Sequence, residues 1–266
     1  MPKLKCKICD GNSDLIFSKE VLNRYMVNYY QCNECGFIQT EDPYWLKEAY
    51  ENPINIEDSG LVSRNLLFTK RSTAVLASFF DKRKQFLDFA GGYGLFVRLM
   101  RDIGFDFYWS DTFTENIFAR GFEFNHSLHN EIEVITVFEC FEHFVDPMLE
   151  IKKLLGISKN ILFSTEIFPF KAPDPEQWSY YAYSHGQHIS FYSKKTLQTI
   201  AKKFNLNLYS NDKSFHLLTP KKLNNGHFKL LLILSIIGLS SFIKITMQSK
   251  THTDSEFNNK NKTLLF

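Results

Sequence analysis

Residues 87–96 read LDFAGGYGLF. A short apolar run delivers an acidic residue, Asp88, and then Gly91, Gly92 and Gly94. Leu95, Phe96, Val97, Leu99 and Met100 follow at helical spacing. That order predicts a strand (Phe86–Phe89), a tight turn and a helix (Leu95–Ile103), closed by Gly104 as C-cap. Glycine tolerates positive φ and carries no side chain, so such a turn lets a ligand approach the backbone. The helix beyond it leaves free N–H groups facing the same space.

Outward from the turn, the pattern is that of a doubly wound α/β sheet. Phe105–Ser110 reads as the next strand and ends at Asp111. An acidic side chain there can accept the hydroxyls of a nucleoside ribose, and its distance from Asp88 is near the roughly 20 residues such a βαβ unit needs. Glu131–Phe138 and Asn160–Thr165 supply further strands. The segment FECFEHFVDP, 138–147, follows the first of these and opens a helix near Pro147. Functional residues of open α/β sheets gather at such carboxyl ends. Residues 168–192 form an aromatic, proline-bearing insertion, read as a wall or lid on the substrate side. Ser193 is a predicted N-cap for a helix over Lys194–Lys203. Leu206–Tyr209 and Ser214–Leu218 are the closing strands.

Nearer the N-terminus, Cys6, Cys9, Cys32 and Cys35 form two CxxC pairs. Two such hairpins supply four thiolates in tetrahedral array, the donor set of a structural zinc site with no open position for water. Cys140 lies apart. The chain begins MPKLKCKICD without an apolar stretch, so the expected location is cytoplasmic. With 31 basic and 29 acidic residues, the +2 formal charge gives no case for nucleic-acid binding. The 44% hydrophobic content supports a substantial core, and the 27 Phe and 12 Tyr suit both cores and pockets for flat or sugar-like ligands.

The expected organisation is a zinc module (1–40), a helical linker region (41–80) with a helix over Leu61–Phe80, a catalytic domain (81–218), and an apolar helical tail (219–266). Within the tail, residues 228–247 approach the length of a membrane span. The alternatives are a peripheral membrane helix broken near Gly238, a helix packed on the domain or a partner, or a true span. The remainder, THTDSEFNNKNKTLLF, reads as flexible.

LDFAGGYG, the acid at Asp111 and FECFEHFVDP together resemble the class I S-adenosylmethionine-dependent methyltransferases. The four-cysteine module and the histidine motif before FYS are similar to those of sugar methyltransferases acting on nucleotide-linked deoxysugars. The resemblance covers residues 6 to about 217. It implies a Rossmann-like, seven-stranded, mostly parallel sheet with helices on both faces. It implies that Asp88, Ala90, Gly91, Gly92 and Gly94 wrap the methionine part of the cofactor, that Asp111 binds the ribose and that Phe113 lies against the adenine. Phe138 and Glu139 would border the sulfonium, with His143 facing the acceptor. Ala90 stands where the family has glycine.

Methyl transfer to a hydroxyl needs a general base. The family's Glu-His pair matches Gln187-His188 here, making His188 the first candidate, His143 the second, and Gln187 an acceptor-orienting group. Metal catalysis through His143, His185 and His188 is disfavoured, because no neighbouring carboxylate completes a facial triad. Trp178, Tyr180, Tyr181 and Tyr183 are candidates to stack on a sugar, nucleotide-sugar or glycan acceptor, and are equally candidates for core. Two other function classes remain. One is a zinc-bearing interaction or RNA-binding protein on an inactive methyltransferase fold. The other is an NAD-dependent oxidoreductase, which shares a glycine turn and an acidic strand end.

Overall fold

The computed structural model describes residues 4–51, 58–129 and 131–261. The strands are β1 (Leu4–Lys5), β2 (Asn12–Val21), β3 (Tyr25–Cys32), β4 (Ile38–Thr40), β5 (Gln85–Phe89), β6 (Asp106–Ser110), β7 (Ile132–Val137), β8 (Ile161–Ser164), β9 (Ile167–Phe168), β10 (Ser190–Ser193), β11 (Asn207–Ser210) and β12 (Phe215–Thr219). The α-helices are α1 (Leu46–Ala49), α2 (Leu61–Phe79), α3 (Leu95–Ile103), α4 (Pro147–Ile157), α5 (Lys194–Lys203), α6 (Asn225–Leu234), α7 (Ser240–Ile245) and α8 (Thr251–Lys260).

The expected seven-stranded sheet is replaced by two sheets of six, ordered β1-β2-β3-β4-β10-β9 and β11-β12-β8-β7-β5-β6. The first arises because β2 and β3 form a long antiparallel hairpin that β4 and β10 extend. Sequence reading had assigned no strands between the cysteine pairs. The second sheet keeps the parallel pairing expected around the glycine turn, β5 with β6 and with β7.

The chain divides into two compact units of interleaved segments. The first comprises Met1–Asn55, Glu139–Leu155 and Phe163–Lys222; the second comprises Ile56–Phe138, Gly156–Leu162 and Leu223–Phe266. The first unit's core gathers Val27, Tyr29, Ile38, Trp45, Tyr181 and Phe191. Tyr181 is 1% exposed, with its ring edge-on to Phe17 and Phe191, so it belongs to the core and not to a substrate wall. Trp178, Tyr180 and Tyr183 pack around it.

In the second unit, α3 buries Phe96, Val97, Met100 and Ile103 at helical spacing. Each fully buried apolar side chain of this size is worth about 1.5–3 kcal/mol. Phe86 stacks on Phe107, and Phe96 meets Phe107 edge-on. Helices α6 and α7 join through a kink at Gly238 (φ 134°), and Leu231 and Ile243 pack beside Ala74 of α2. Asn225–Ile245 is long and apolar enough to cross a membrane by length and composition. Its outer residues Ile233, Ile237, Phe242 and Ile245 are exposed.

The stretch read as flexible is helical over Thr251–Lys260 and is tied down; residues 262–266 of it, like 52–57 of the linker, lie outside the described residues. Asp254 accepts Arg101 Nε and Nη2, each at 2.8 Å, and pairs with Arg98 at 2.9 Å. Arg101, almost fully buried, also donates to Asp106 and to the Phe107 carbonyl and lies over the Phe122 ring. The tail's approach requires Gly104 (φ 125°): a Cβ there would meet the Gln248 carbonyl at 2.5 Å.

Candidate functional site

The glycine turn of the second unit is held open by its own backbone. Ala90, Gly92 and Gly94 have φ of 56°, 53° and 82°, three left-handed residues in five. For alanine that conformation costs about 1 kcal/mol. At Gly91 a Cβ would come within 2.8 Å of Asp88 Oδ2 and 2.9 Å of Trp109, whereas at Gly92 it would meet nothing within 4 Å. The turn is therefore closed on the protein side and open on the other. Trp109 Nε1 donates to the Gly92 carbonyl at 2.8 Å, and Gly91 N donates to the Ser110 carbonyl at 3.2 Å.

Two carboxylates brace this turn. Asp88 is buried and accepts the Thr136 hydroxyl at 2.6 Å; burial, with the Asp111 charge adding, pushes its carboxyl up to about 7. Asp111 accepts the N–H of Gly92 at 2.9 Å through Oδ2, and those of Phe113 and Thr114 at 2.7 and 2.9 Å through Oδ1. A carboxylate has about four acceptor directions. With these bonds kept, Asp111 has about one acceptor direction left. Phe113 is exposed, and Phe138 stacks on Phe68 at 4.4 Å.

The other predicted residues lie in the first unit. Glu139 (φ 50°) donates its N–H to Ser164 Oγ at 2.7 Å, and that hydroxyl donates to Glu139 Oε1 at 2.6 Å. Phe141–His143 forms one 3₁₀ turn. It is fixed by the Phe141 ring on Phe163, by the Tyr192 hydroxyl on the Phe141 carbonyl, and by the Ile189 N–H on the Glu142 carbonyl.

This turn sends Glu142 fully inside, where burial, with the Glu139 charge adding, raises its carboxyl to about 8. His143 Nδ1 lies 3.1 Å from the Tyr50 hydroxyl, and His188 Nδ1 lies 2.7 Å from the Tyr180 carbonyl. Facing a carbonyl, His188 Nδ1 carries the proton, so the lone pair is on Nε2. Burial lowers His143 to about 4 and His188 well below the usual histidine range, and in each case a neighbouring histidine adds to the effect. Both imidazoles are neutral at physiological pH.

Gln187 is buried and its amide donates to the Ala49 carbonyl at 2.8 Å, a bond that holds α1. The expectation that no carboxylate accompanies the histidines is overturned: one ligand atom each from Glu142, His143 and His188 lie within 4.8 Å of one another. The sequence alone gives Glu142 no role; its place in the Glu-His pair is the available signal.

The four cysteines do converge, with their Sγ atoms all within 4.8 Å of one another. Cys6 and Cys35 Sγ are 3.6 Å apart, and Cys9 and Cys32 Sγ 3.4 Å. Zinc–sulfur bonds of about 2.3 Å in a tetrahedron place sulfurs roughly 3.8 Å apart. The N–H groups of Ile8 and Glu34 point at Cys6 and Cys32 Sγ. The Cys35 thiol's hydrogen bond lowers Cys6 to about 6. Spacing and donor chemistry fit zinc.

A family model described as a methyltransferase domain matches residues 63–211. No curated protein matches the sequence. Among solved structures, the chain is similar to the plantazolicin methyltransferase BpumL in complex with SAH, at 12% identity over 66% of this chain and 89% of that one, with a TM-score of 0.44. It is similar to an O-methyltransferase family protein from Burkholderia thailandensis, at 14% identity over 67% and 63%, with a TM-score of 0.44. A third is CalO1, a methyltransferase in calicheamicin biosynthesis in its SAH-bound form, at 14% identity over 68% and 60%, with a TM-score of 0.42. Matched parts span only about three-fifths of the latter two chains.

Proposed function

The chain belongs to the methyltransferase-domain family, and on that premise we propose that it moves a methyl group from S-adenosylmethionine to a hydroxyl of a sugar, nucleotide-sugar or surface glycan. The observation that carries the cofactor assignment is the turn itself, closed at Gly91, open at Gly92 and braced by Asp88 and Asp111. The N–H groups at the start of α3 and the open face of Gly92 receive the methionine part. The remaining acceptor direction of Asp111 takes one ribose hydroxyl, and exposed Phe113 lies against the adenine. When bound, the cofactor supplies a sulfonium methyl; its transfer returns the bonding pair to sulfur and leaves the acceptor oxygen with a proton to lose.

On the acceptor side, His188 first and His143 second are the proposed bases: both are neutral and so have a free lone pair, and their burial makes each a weaker base than a free imidazole. A sugar acceptor is supported by the likeness of the four-cysteine module and the histidine motif to sugar methyltransferases, and by half-buried Trp178 and Tyr180. The zinc knuckle is structural. Its Cys35 carbonyl accepts from Ser193 Oγ and Thr196 Oγ1, both at 2.9 Å, and so joins the knuckle to the start of α5. The proposed location is the cytoplasm, with peripheral membrane contact through the exposed Ile237, Phe242 and Ile245.

Calorimetry with S-adenosylmethionine and NAD tests the cofactor, and labelled-methyl transfer across nucleotide-sugars and glycans tests the acceptor. Binding of S-adenosylmethionine alone, weakened by Gly92→Val and Asp111→Asn, is expected. Binding of NAD alone would return the oxidoreductase reading. Binding of neither, with RNA or protein capture, would return the inactive-fold reading. Ile237→Glu with Ile245→Glu is expected to lower recovery in the membrane fraction, and unchanged recovery refutes that contact.

A further inference from the structure

We propose that Glu142, His143 and His188 form a second metal site in the first unit, distinct from the four cysteines, taking a divalent transition cation such as Mn²⁺, Fe²⁺ or Zn²⁺. One ligand atom from each lies within 4.8 Å of the others. Ligands about 2.1 Å from one ion lie roughly 3.0–3.4 Å apart in octahedral or tetrahedral array, so closure requires side-chain movements of up to about 1 Å.

The second observation is independent of that spacing. Glu142 is 0% exposed, and neither of its carboxylate oxygens makes a hydrogen bond of good geometry among the described residues, although the Tyr180 and Thr165 hydroxyls lie near enough to counter part of the effect of burial. A buried carboxyl without a well-placed partner is costly, and exchanging its proton for a cation removes the cost. A third observation concerns orientation. Each imidazole is steered at Nδ1 by one oxygen, the Tyr50 hydroxyl for His143 and the Tyr180 carbonyl for His188. Ligating histidines are oriented by partners of this kind.

Two nitrogens and one carboxylate favour a transition cation over Mg²⁺ or Ca²⁺, and three ligands leave positions open for water or an acceptor oxygen. Ion binding stands without methyl transfer. Its use as a Lewis acid, with the imidazoles as ligands and the bound hydroxyl made acidic by the ion, rests on the function proposed above.

The test is metal content of the full chain by mass spectrometry after loading with Mn²⁺ or Zn²⁺. Two ions per chain are expected in the wild type, falling to one in Glu142→Gln and in His188→Ala. One ion in the wild type overturns the site, as do two in both variants. Cobalt titration of the wild type needs no variant to fold. A second equivalent that adds visible bands without thiolate charge transfer supports the site; saturation at one thiolate-bound equivalent refutes it. Turnover by protein holding one ion at the cysteines would remove the Lewis-acid role and leave methyl transfer standing. Failure to bind S-adenosylmethionine would instead overturn the functional reading and leave the stoichiometry unaffected.

Discussion

Replacing Asp254 with alanine tests how firmly the last helix belongs to the second unit. The wild-type carboxylate is 6% exposed and receives both a bidentate Arg101 and Arg98. Removing one partner of a buried pair costs about 3–5 kcal/mol, because the other charge stays inside. Arg101 retains Asp106 and the Phe107 carbonyl, so the lower end applies, about 3 kcal/mol. At about 2–4 °C per kcal/mol, the unfolding midpoint should fall by about 6–12 °C. Thermal melts and hydrogen exchange over 251–260 measure this, and protection of those amides should be lost as well. The sign with pH is fixed. Although burial opposes it, the Arg101 and Arg98 partners hold the Asp254 carboxyl below its ordinary value. Its contribution is therefore present at neutral pH and lost as pH falls through the folded value, so wild type and variant should converge in acid. A midpoint shift under about 2 °C, the range of an exposed pair, would refute a buried clasp.

Ala90→Gly relieves a left-handed alanine, and should raise stability by about 0.5–1 kcal/mol after the entropy of the unfolded glycine is offset; a denaturant melt showing a loss refutes the strain. Asp88 sits at about 7 in the folded protein against 3.8 ordinarily. Stability should therefore fall by about 4 kcal/mol as pH rises from about 4 to 7, and Asp88→Asn should flatten that slope. A chelator strong enough to strip the cysteines should lower the unfolding midpoint by several kcal/mol equivalent, and Cys35→Ser should do so without chelator. An unchanged melt in both would refute a structural zinc.

Local order was legible in the sequence. Helix α3 spans Leu95–Ile103 and α5 spans Lys194–Lys203, as read from apolar spacing, Gly104 and Ser193. Ser193 accepts the Thr196 N–H in a full capping box. The cysteine cluster was legible because metal sites impose spacing on the chain itself. What escaped depends on distant partners. Glu142 reads as an ordinary acidic residue until Phe163, Ile189 and Tyr192, 21 to 50 positions later, fix its turn inside. Tyr181 carries the same letter whether it lines a pocket or fills a core; Tyr29 and Phe191 decide that. THTDSEFNNK has a polar composition that suggests disorder, and only Arg101, 153 residues away, gives Asp254 its partner.

The interleaving of the two units has a consequence for biosynthesis. The four-cysteine cluster is made before the rest of its unit, which lacks Phe163–Lys222 until most of the chain has been synthesised. Bringing the segment that ends at residue 51 together with residue 139 closes a loop of roughly ninety residues, whose entropy must be met before the contacts across it form. Folding dominated by such non-local contacts is slow. No single proteolytic cut or expression boundary can release either unit as one continuous fragment, and a partly made chain exposes apolar surface that later segments cover.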